Sequence, residues 1–406
     1  MLYSAYQTFC DALEPSRRAA GMALSMRGAP WMADFQVPWM RRMLALADGY
    51  GLAAITHKRP PFYIDSVDCG NARVAVVEEE TLTLPFGRLI HFAKPDIVTP
   101  QPRMLVVAPL SGHFATLLRG TVQTLLRDHD VYITDWANAR DVPMSAGRFG
   151  VDEYVDYVIR FIQELGPRSH VLAVCQPCVP VLAAVAVMAA RNDPLQPRSM
   201  TLMGGPVDVR ESPTAVNHLA TSKPMRWFED NLISTVPGRH GGAGRKVYPG
   251  FMQLTAFMSM NLGRHFAQFR KFYQHLADDE PRDAARIRDF YEEYMAVLDL
   301  TAEFYLETVE QIFQRASLAR GEMRHHGVKV DCGAIRRTAL LTVEGERDDI
   351  CGVGQTAAAH HLCSSLRPHL KRHHLQPGVG HYGVFSGSKW ERQVYPQVRS
   401  LVLAVS

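Results

Sequence analysis

From about residue 100 onward, short apolar runs alternate with stretches of helical periodicity, the pattern of a parallel sheet covered by helices. Met104 to Ala108, Val131 to Thr134, His170 to Val174, Met200 to Met203, Ala339 to Val343 and His373 to Gln376 read as its strands. Ahead of them, Arg73 to Glu79 and Arg88 to Phe92 flank a turn at Pro85-Phe86-Gly87 and read as an antiparallel pair leading into the sheet. The expectation is an α/β sheet of about eight strands. Between Met203 and Arg336 the strand rhythm stops, and helix formers such as Arg282 to Leu298 and Ala302 to Arg320 predict an inserted helical cap. The organisation expected is an N-terminal helical extension (1–60), a first part of the core (61–206), the cap (207–335) and a second part of the core (336–406).

The segment Val171 to Ala190 is apolar enough to raise the question of a membrane span. Gln176, Pro177 and Pro180 answer it, because two prolines near the middle would break the helix ladder. A buried strand, a tight turn and a buried helix accommodate every residue, with both prolines in the first helical turn, where backbone N–H groups lack partners anyway. The chain is 47% apolar and 21% charged over 406 residues, which excludes disorder as its main state. Its 44 basic and 41 acidic residues leave a net charge of +3, which gives nucleic-acid binding no support. Seven scattered cysteines and an N-terminus without a basic-then-apolar signal point to a reducing cytoplasm.

In the cap, aromatic residues from Trp227 to Tyr305 recur at near-helical spacing and read mostly as cap core, with a minority lining a substrate channel. Gly238 to Gly244 lacks the Gly-Lys-Ser/Thr ending of a phosphate loop and reads as a mobile connection. Near the N-terminus, Trp31, Met32, Phe35, Val37, Trp39, Met40, Met43 and Leu44 form an apolar-rich stretch interrupted by Arg41 and Arg42. It reads either as packing on the core or as an exposed face for a hydrophobic surface.

Candidate chemistry lies where strands end. Ala173-Val174-Cys175-Gln176-Pro177 sits between a buried strand and a helix, the setting in which a nucleophile elbow exposes its side chain. The helix N-terminus that follows would stabilise a thiolate at Cys175. Cys175 and Cys178 also form a Cys-x-x-Cys, but a zinc site wants a second ligand pair and a redox pair wants a smaller domain. The histidine pairs 325/326, 360/361 and 373/374 read as helix surface and strand ends. After the strand ending at Val343, Asp348 is the acid candidate and Asp349 its fallback, at the carboxyl end of the sheet where ligands gather. His381, set among Gly378, Gly380 and Gly383, is the base candidate. The order Cys175, Asp348, His381 is the nucleophile, acid, base order of the α/β-hydrolase fold. An oxyanion would then be held by the backbone N–H of Gln176 and one from Leu110 or Ser111.

With these residues in place, the sequence resembles the intracellular polyhydroxybutyrate depolymerases, relatives of the cysteine-dependent polyhydroxyalkanoate synthases. The resemblance rests on Val174-Cys175-Gln176-Pro177, Thr134-Asp135-Trp136-Ala137-Asn138, Met203-Gly204-Gly205-Pro206, Glu346-Arg347-Asp348-Asp349 and Gly380-His381-Tyr382-Gly383. It implies Cys175 as nucleophile, Asp348 as acid and His381 as base. It also implies an amorphous 3-hydroxybutyrate polymer in a cytoplasmic granule as substrate, and no cofactor, with the thiol of CoA as an alternative acyl acceptor to water. The synthases place glycines on both sides of their cysteine; Ala173 and Pro177 depart from that, which favours the depolymerase side. A synthase-like acyltransferase, a generic esterase and a non-catalytic granule-coat protein are the competing readings, and self-association is left open.

Overall fold

The structure is a computed structural model that describes residues 2–26, 37–260 and 262–406. It begins with helices α1 (Leu2–Met26) and α2 (Pro38–Leu52) and a hairpin of β1 (Ser66–Cys69) and β2 (Ala72–Ala75). The core then runs through β3 (Val77–Leu84), β4 (Gly87–Ala93), β5 (Arg103–Val107), α3 (Arg119–Leu125), β6 (Asp130–Trp136), α4 (Val151–Leu165), β7 (His170–Val174), α5 (Cys178–Ala190) and β8 (Ser199–Met203). An insertion carries α6 (Ala215–Ser222), α7 (Met225–Leu232), β9 (Ser234–Thr235), β10 (Lys246–Tyr248), α8 (Gly250–Met260), α9 (Leu262–Ala277), α10 (Pro281–Tyr294), β11 (Leu300–Thr301) and α11 (Ala302–Glu307). A hairpin of β12 (Arg324–His325) and β13 (Val328–Lys329) leads back to the core, which ends with β14 (Ala339–Gly345), α12 (Ala359–Leu362), β15 (Lys371–Gln376), α13 (Gly387–Lys389) and α14 (Tyr395–Val405).

Eight strands form one sheet in the order β3-β4-β6-β5-β7-β8-β14-β15. Only β4 runs against its neighbours; β6, β5, β7, β8, β14 and β15 are parallel to one another. Counted along the chain, that order is first, second, fourth, third, fifth, sixth, seventh, eighth with the second strand reversed, and it is the α/β-hydrolase fold. The central strands β5, β7, β8 and β14 are apolar and buried along most of their length, because helices cover both faces. The amphipathic α4 turns Tyr154, Val155, Val158, Phe161 and Ile162 onto one face, while α5 is buried almost all round. That explains the apolar run from Val171: it is a strand and a helix inside the protein. Among the described residues no helix is long and apolar enough to cross a membrane.

Three expectations need correction. The stretch Arg73 to Glu79 is split: Gly70-Asn71 turns the chain so that β2 pairs back on β1, and a separate β3 joins the sheet as its exposed edge. A two-residue Gly-Asn turn is a hairpin signal that outweighs the apparent continuity of the strand. The insertion is not purely helical, since β11-β10-β9 form a small sheet whose strands are too short to show a period. Gly238 to Gly244 is a packed turn: the Gly242 N–H donates to the Arg140 carbonyl at 2.7 Å, and a Cβ at Gly242 would lie 2.7 Å from that same oxygen. Trp31, Met32 and Phe35 lie outside the described residues.

Candidate active site

Between the end of β7 and the start of α5 the chain turns within three residues. Cys175 takes a φ of 67°, a left-handed conformation that residues other than glycine rarely adopt and that marks a constrained turn. Its N–H donates to the Met203 carbonyl at 2.8 Å, and its own carbonyl accepts the Cys178 N–H at 3.1 Å, so both ends of the turn are held. Two glycines after β8 make room for it. A Cβ on Gly205 would sit 2.3 Å from the Cys178 sulfur and 2.8 Å from the Cys175 carbonyl. One on Gly204 would lie 3.3 Å from the His381 ring. The Thr356 hydroxyl bonds both the N–H and the carbonyl of Gly205, at 2.9 Å each, and fixes this wall.

Cys175, His381 and Asp348 come from three separate strand ends and meet here. His381 Nδ1 lies 2.8 Å from Asp348 Oδ2, with both side chains buried, and Cys175 lines one cavity with His381, close enough for its sulfur to act on the ring's charge. Asp348 Oδ1 accepts the N–H groups of Ile350 (2.9 Å) and Cys351 (2.8 Å), which orients the carboxylate toward the ring. Asp349 is exposed on the same turn. Burial alone would discourage a charged His381. The Cys175 sulfur and the Asp348 carboxylate outweigh it and hold the ring well above the ordinary histidine pKa.

Leu110, Ser111 and Gln176 line the same cavity. The Leu110 N–H points at the elbow, where the Gln176 side-chain oxygen accepts it at a long 3.4 Å, and the Gln176 Nε2 is buried without a partner among the described residues. The loop carrying Leu110 is braced at Ala108, whose N–H donates to Thr134 Oγ1 (2.9 Å) and whose carbonyl accepts from Trp136 Nε1 (2.8 Å). The Thr134-Asp135-Trp136 stretch is visible in the sequence, but nothing local shows that it supports a loop from another strand. Gln176 was legible only as a backbone donor, whereas its side chain bridges the elbow to that loop.

Cys178 faces away from Cys175. Its thiol donates weakly to the carbonyls of Ala173 (3.5 Å) and Met203 (3.6 Å), and burial pushes its pKa far up, so it is a packed thiol. All seven cysteines are free.

Above the three residues is a cavity of about 380 Å³, walled by the insertion through Leu219, Phe228, Phe257, Phe304, Tyr305 and Phe313. Of the cap aromatics, Phe228, Phe257, Phe304 and Tyr305 line it, Phe272 and Tyr291 are buried within the cap, and Phe266 is exposed. His113, two residues after Ser111, also lines it; its Nε2 lies 3.1 Å from the Tyr294 carbonyl, and burial lowers its pKa to about 4, so it is a neutral ring.

The sequence profile of the PHB de-polymerase C-terminus matches residues 204–406, half of the 406 residues. The chain belongs to the PHB depolymerase family. The matched region of this PHB depolymerase relative holds the cap, Asp348 and His381, while Cys175 precedes it. Family and fold together make the protein a hydrolase. No curated protein matches it. Similar solved structures include a monoacylglycerol lipase of Paleococcus ferrophilus (TM-score 0.42, 12% identity, 76% of this chain and 97% of that one). Others are the 2-hydroxy-6-oxo-6-phenylhexa-2,4-dienoate hydrolase of Rhodococcus sp. strain RHA1 (0.42, 13%, 81% and 99%) and the thioesterase domain of the curacin biosynthetic pathway (0.44, 12%, 81% and 99%). The fold assignment rests on the strand order and not on these.

Proposed function

We propose that this PHB depolymerase relative cleaves ester bonds of amorphous poly(3-hydroxybutyrate) in cytoplasmic storage granules, with Cys175 as nucleophile, His381 as base and Asp348 as its orienting acid. The observation that carries the reading is the convergence of these side chains, on a strained elbow, at the floor of an apolar cavity. The proton of the Cys175 thiol passes to His381 Nε2 to give a thiolate beside a charged ring, and the thiolate then attacks the ester carbonyl. Asp348, on Nδ1, fixes the tautomer and stabilises the ring while it is charged. The Gln176 and Leu110 N–H groups face the developing oxyanion, the latter after release from the Gln176 side chain.

Collapse of the tetrahedral intermediate breaks the ester C–O bond, and the leaving alkoxide takes the proton from His381. What remains is a thioester of Cys175. Water, deprotonated by His381, then releases the acyl chain as a 3-hydroxybutyrate oligomer or monomer and restores the thiol. The thiol of CoA could take the place of water and yield an acyl-CoA. Apolar walls suit a polyester backbone better than a small polar metabolite.

Native amorphous granules incubated with the wild type and with Cys175→Ala, each with and without CoA, test this by product analysis. Soluble 3-hydroxybutyrate species from the wild type alone support the reading. Their absence, or their equal release by the variant, ends it.

A further inference from the structure

We propose that Asp156, His325 and His326, with Asp152 beside them, form a binding site for one zinc-type divalent cation that clamps the β12–β13 hairpin to α4. The helix presents Asp152 and Asp156 four residues apart, hence on one face. The hairpin, which joins the insertion to β14, supplies both imidazoles. His325 Nε2 is 2.9 Å from Asp156 Oδ1, His326 Nε2 is 2.6 Å from Asp156 Oδ2, and His326 Nδ1 is 3.7 Å from Asp152 Oδ2. The ligand atoms of Asp156, His325 and His326 all lie within 4.8 Å of one another.

Adjacent residues of an extended strand send their side chains to opposite faces. Here His326 has a φ of 46°, and this turn brings the two rings to one carboxylate with their centroids 4.4 Å apart. His325 is 2% exposed, so one ligand is already immobilised, whereas His326 and Asp156 are open to solvent and leave a path for the ion. Two imidazoles and one or two carboxylates are the donor set of zinc and its neighbours, with bonds of roughly 2.0–2.2 Å; calcium and magnesium call for oxygen donors throughout. Without a cation, each ring reaches the carboxylate through its Nε2. A cation seated among these atoms would bind the same two nitrogens and the carboxylate between them. The ligands come from α4 and from a hairpin far along the chain, so the bound ion would act as a cross-link between insertion and core.

The test uses the full chain, stripped with EDTA and titrated calorimetrically with zinc chloride at pH 7, alongside magnesium chloride. Because free thiols also bind zinc, His326→Ala and Asp156→Asn are titrated in parallel, and cobalt(II) spectra report the donor atoms. The expected result is one zinc per chain with a dissociation constant of about 1 µM or tighter, weakened at least tenfold in either variant. Zinc should also raise the wild-type melting temperature by at least about 2 °C and leave the variants' unchanged. Circular dichroism of the metal-free variants checks that they are folded. Equal zinc affinity in wild type and variants, no saturable binding, or a cobalt spectrum dominated by thiolate charge transfer would overturn the site.

Discussion

Cys175 and Cys178 are three residues apart and chemically unlike. The first stands in a left-handed turn facing the cavity and His381; the second is buried behind the elbow with its thiol on backbone carbonyls. Cys175→Ala is therefore expected to abolish polymer turnover with a nearly unchanged melting temperature, because a half-buried side chain at the cavity edge gives up little packing. Cys178→Ala should instead lower stability by about 1 kcal/mol through the small void left behind α5 and retain most activity. If both variants were folded and equally inactive, a joint role for the two thiols would replace this assignment. The acidic pair divides in a similar way. Asp348 carries His381 and two backbone N–H groups, and Asp349 is exposed, so Asp348→Asn should reduce turnover by about 10³-fold or more and Asp349→Asn by less than about threefold. Steady-state rates on a soluble short ester decide it, and the reverse ranking would move the acid to Asp349. The order of the three candidate residues was legible because strand ends and glycine-rich loops leave local marks. What was not legible were the partners supplied from elsewhere: the Gln176 side chain on Leu110, Thr134 and Trp136 on Ala108, Thr356 on Gly205.

Helix α1 is fastened by a buried cluster. Tyr3 Oη donates to Asp299 Oδ2 at 2.6 Å, the Gly250 N–H donates to Asp299 Oδ1 at 2.9 Å, and His57 Nδ1 lies 3.9 Å from the same carboxylate. Tyr6 reaches His57 Nε2 at 3.1 Å. Burial raises the Asp299 pKa to about 6 and lowers that of His57 to about 3. A carboxyl raised on folding contributes stability that is complete below the ordinary carboxylate range and is lost as pH rises through about 6. The lowered His57 works the other way: its contribution is present above the ordinary histidine value and is lost as pH falls toward 3. Tyr3→Phe removes the hydroxyl that best serves the ionised carboxylate. It should lower unfolding stability by about 1–3 kcal/mol, with the larger loss at pH 8, where Asp299 is charged, than at pH 5. Denaturant melts at the two pH values measure this, and equal losses would show that the tyrosine serves packing alone. No sequence pattern announces such a cluster, because its members lie almost three hundred residues apart. The central strands and the buried helix α5 were readable from their apolar runs, whereas strands of two or three residues are too short to show a period and the Gly70-Asn71 turn was hidden inside an apparently continuous strand.

The molecule as a whole joins its outermost helices to the wall of its cavity. α2 packs on α9 and α9 on α10. On α10, Phe290 meets Tyr382 edge to face at 6.3 Å, and Tyr382, next to His381, lines the cavity. The same helices turn apolar side chains outward. On α2, Trp39, Met43, Leu46 and Tyr50 recur at helical spacing on the solvent face, opposite the buried Ala45, Asp48 and Leu52, and on α9 Leu262 and Phe266 are exposed. A single exposed apolar side chain is ordinary, but four on one helical face, with Trp39 64% exposed, form a patch of the kind that meets an apolar partner. If the substrate is a solid apolar polymer, this face gives the enzyme a way to rest on it while a chain enters the cavity. Transfer of the exposed part of Trp39, on the order of 100 Å², from water to polymer is worth about 2.5 kcal/mol, roughly a tenfold to hundredfold change in surface affinity. Trp39→Ala is accordingly expected to keep its melting temperature and its turnover of a soluble short ester while its co-sedimentation with amorphous granules falls by that factor. A lower melting temperature with unchanged co-sedimentation would assign α2 to the packing of the fold and take the polymer contact away from it.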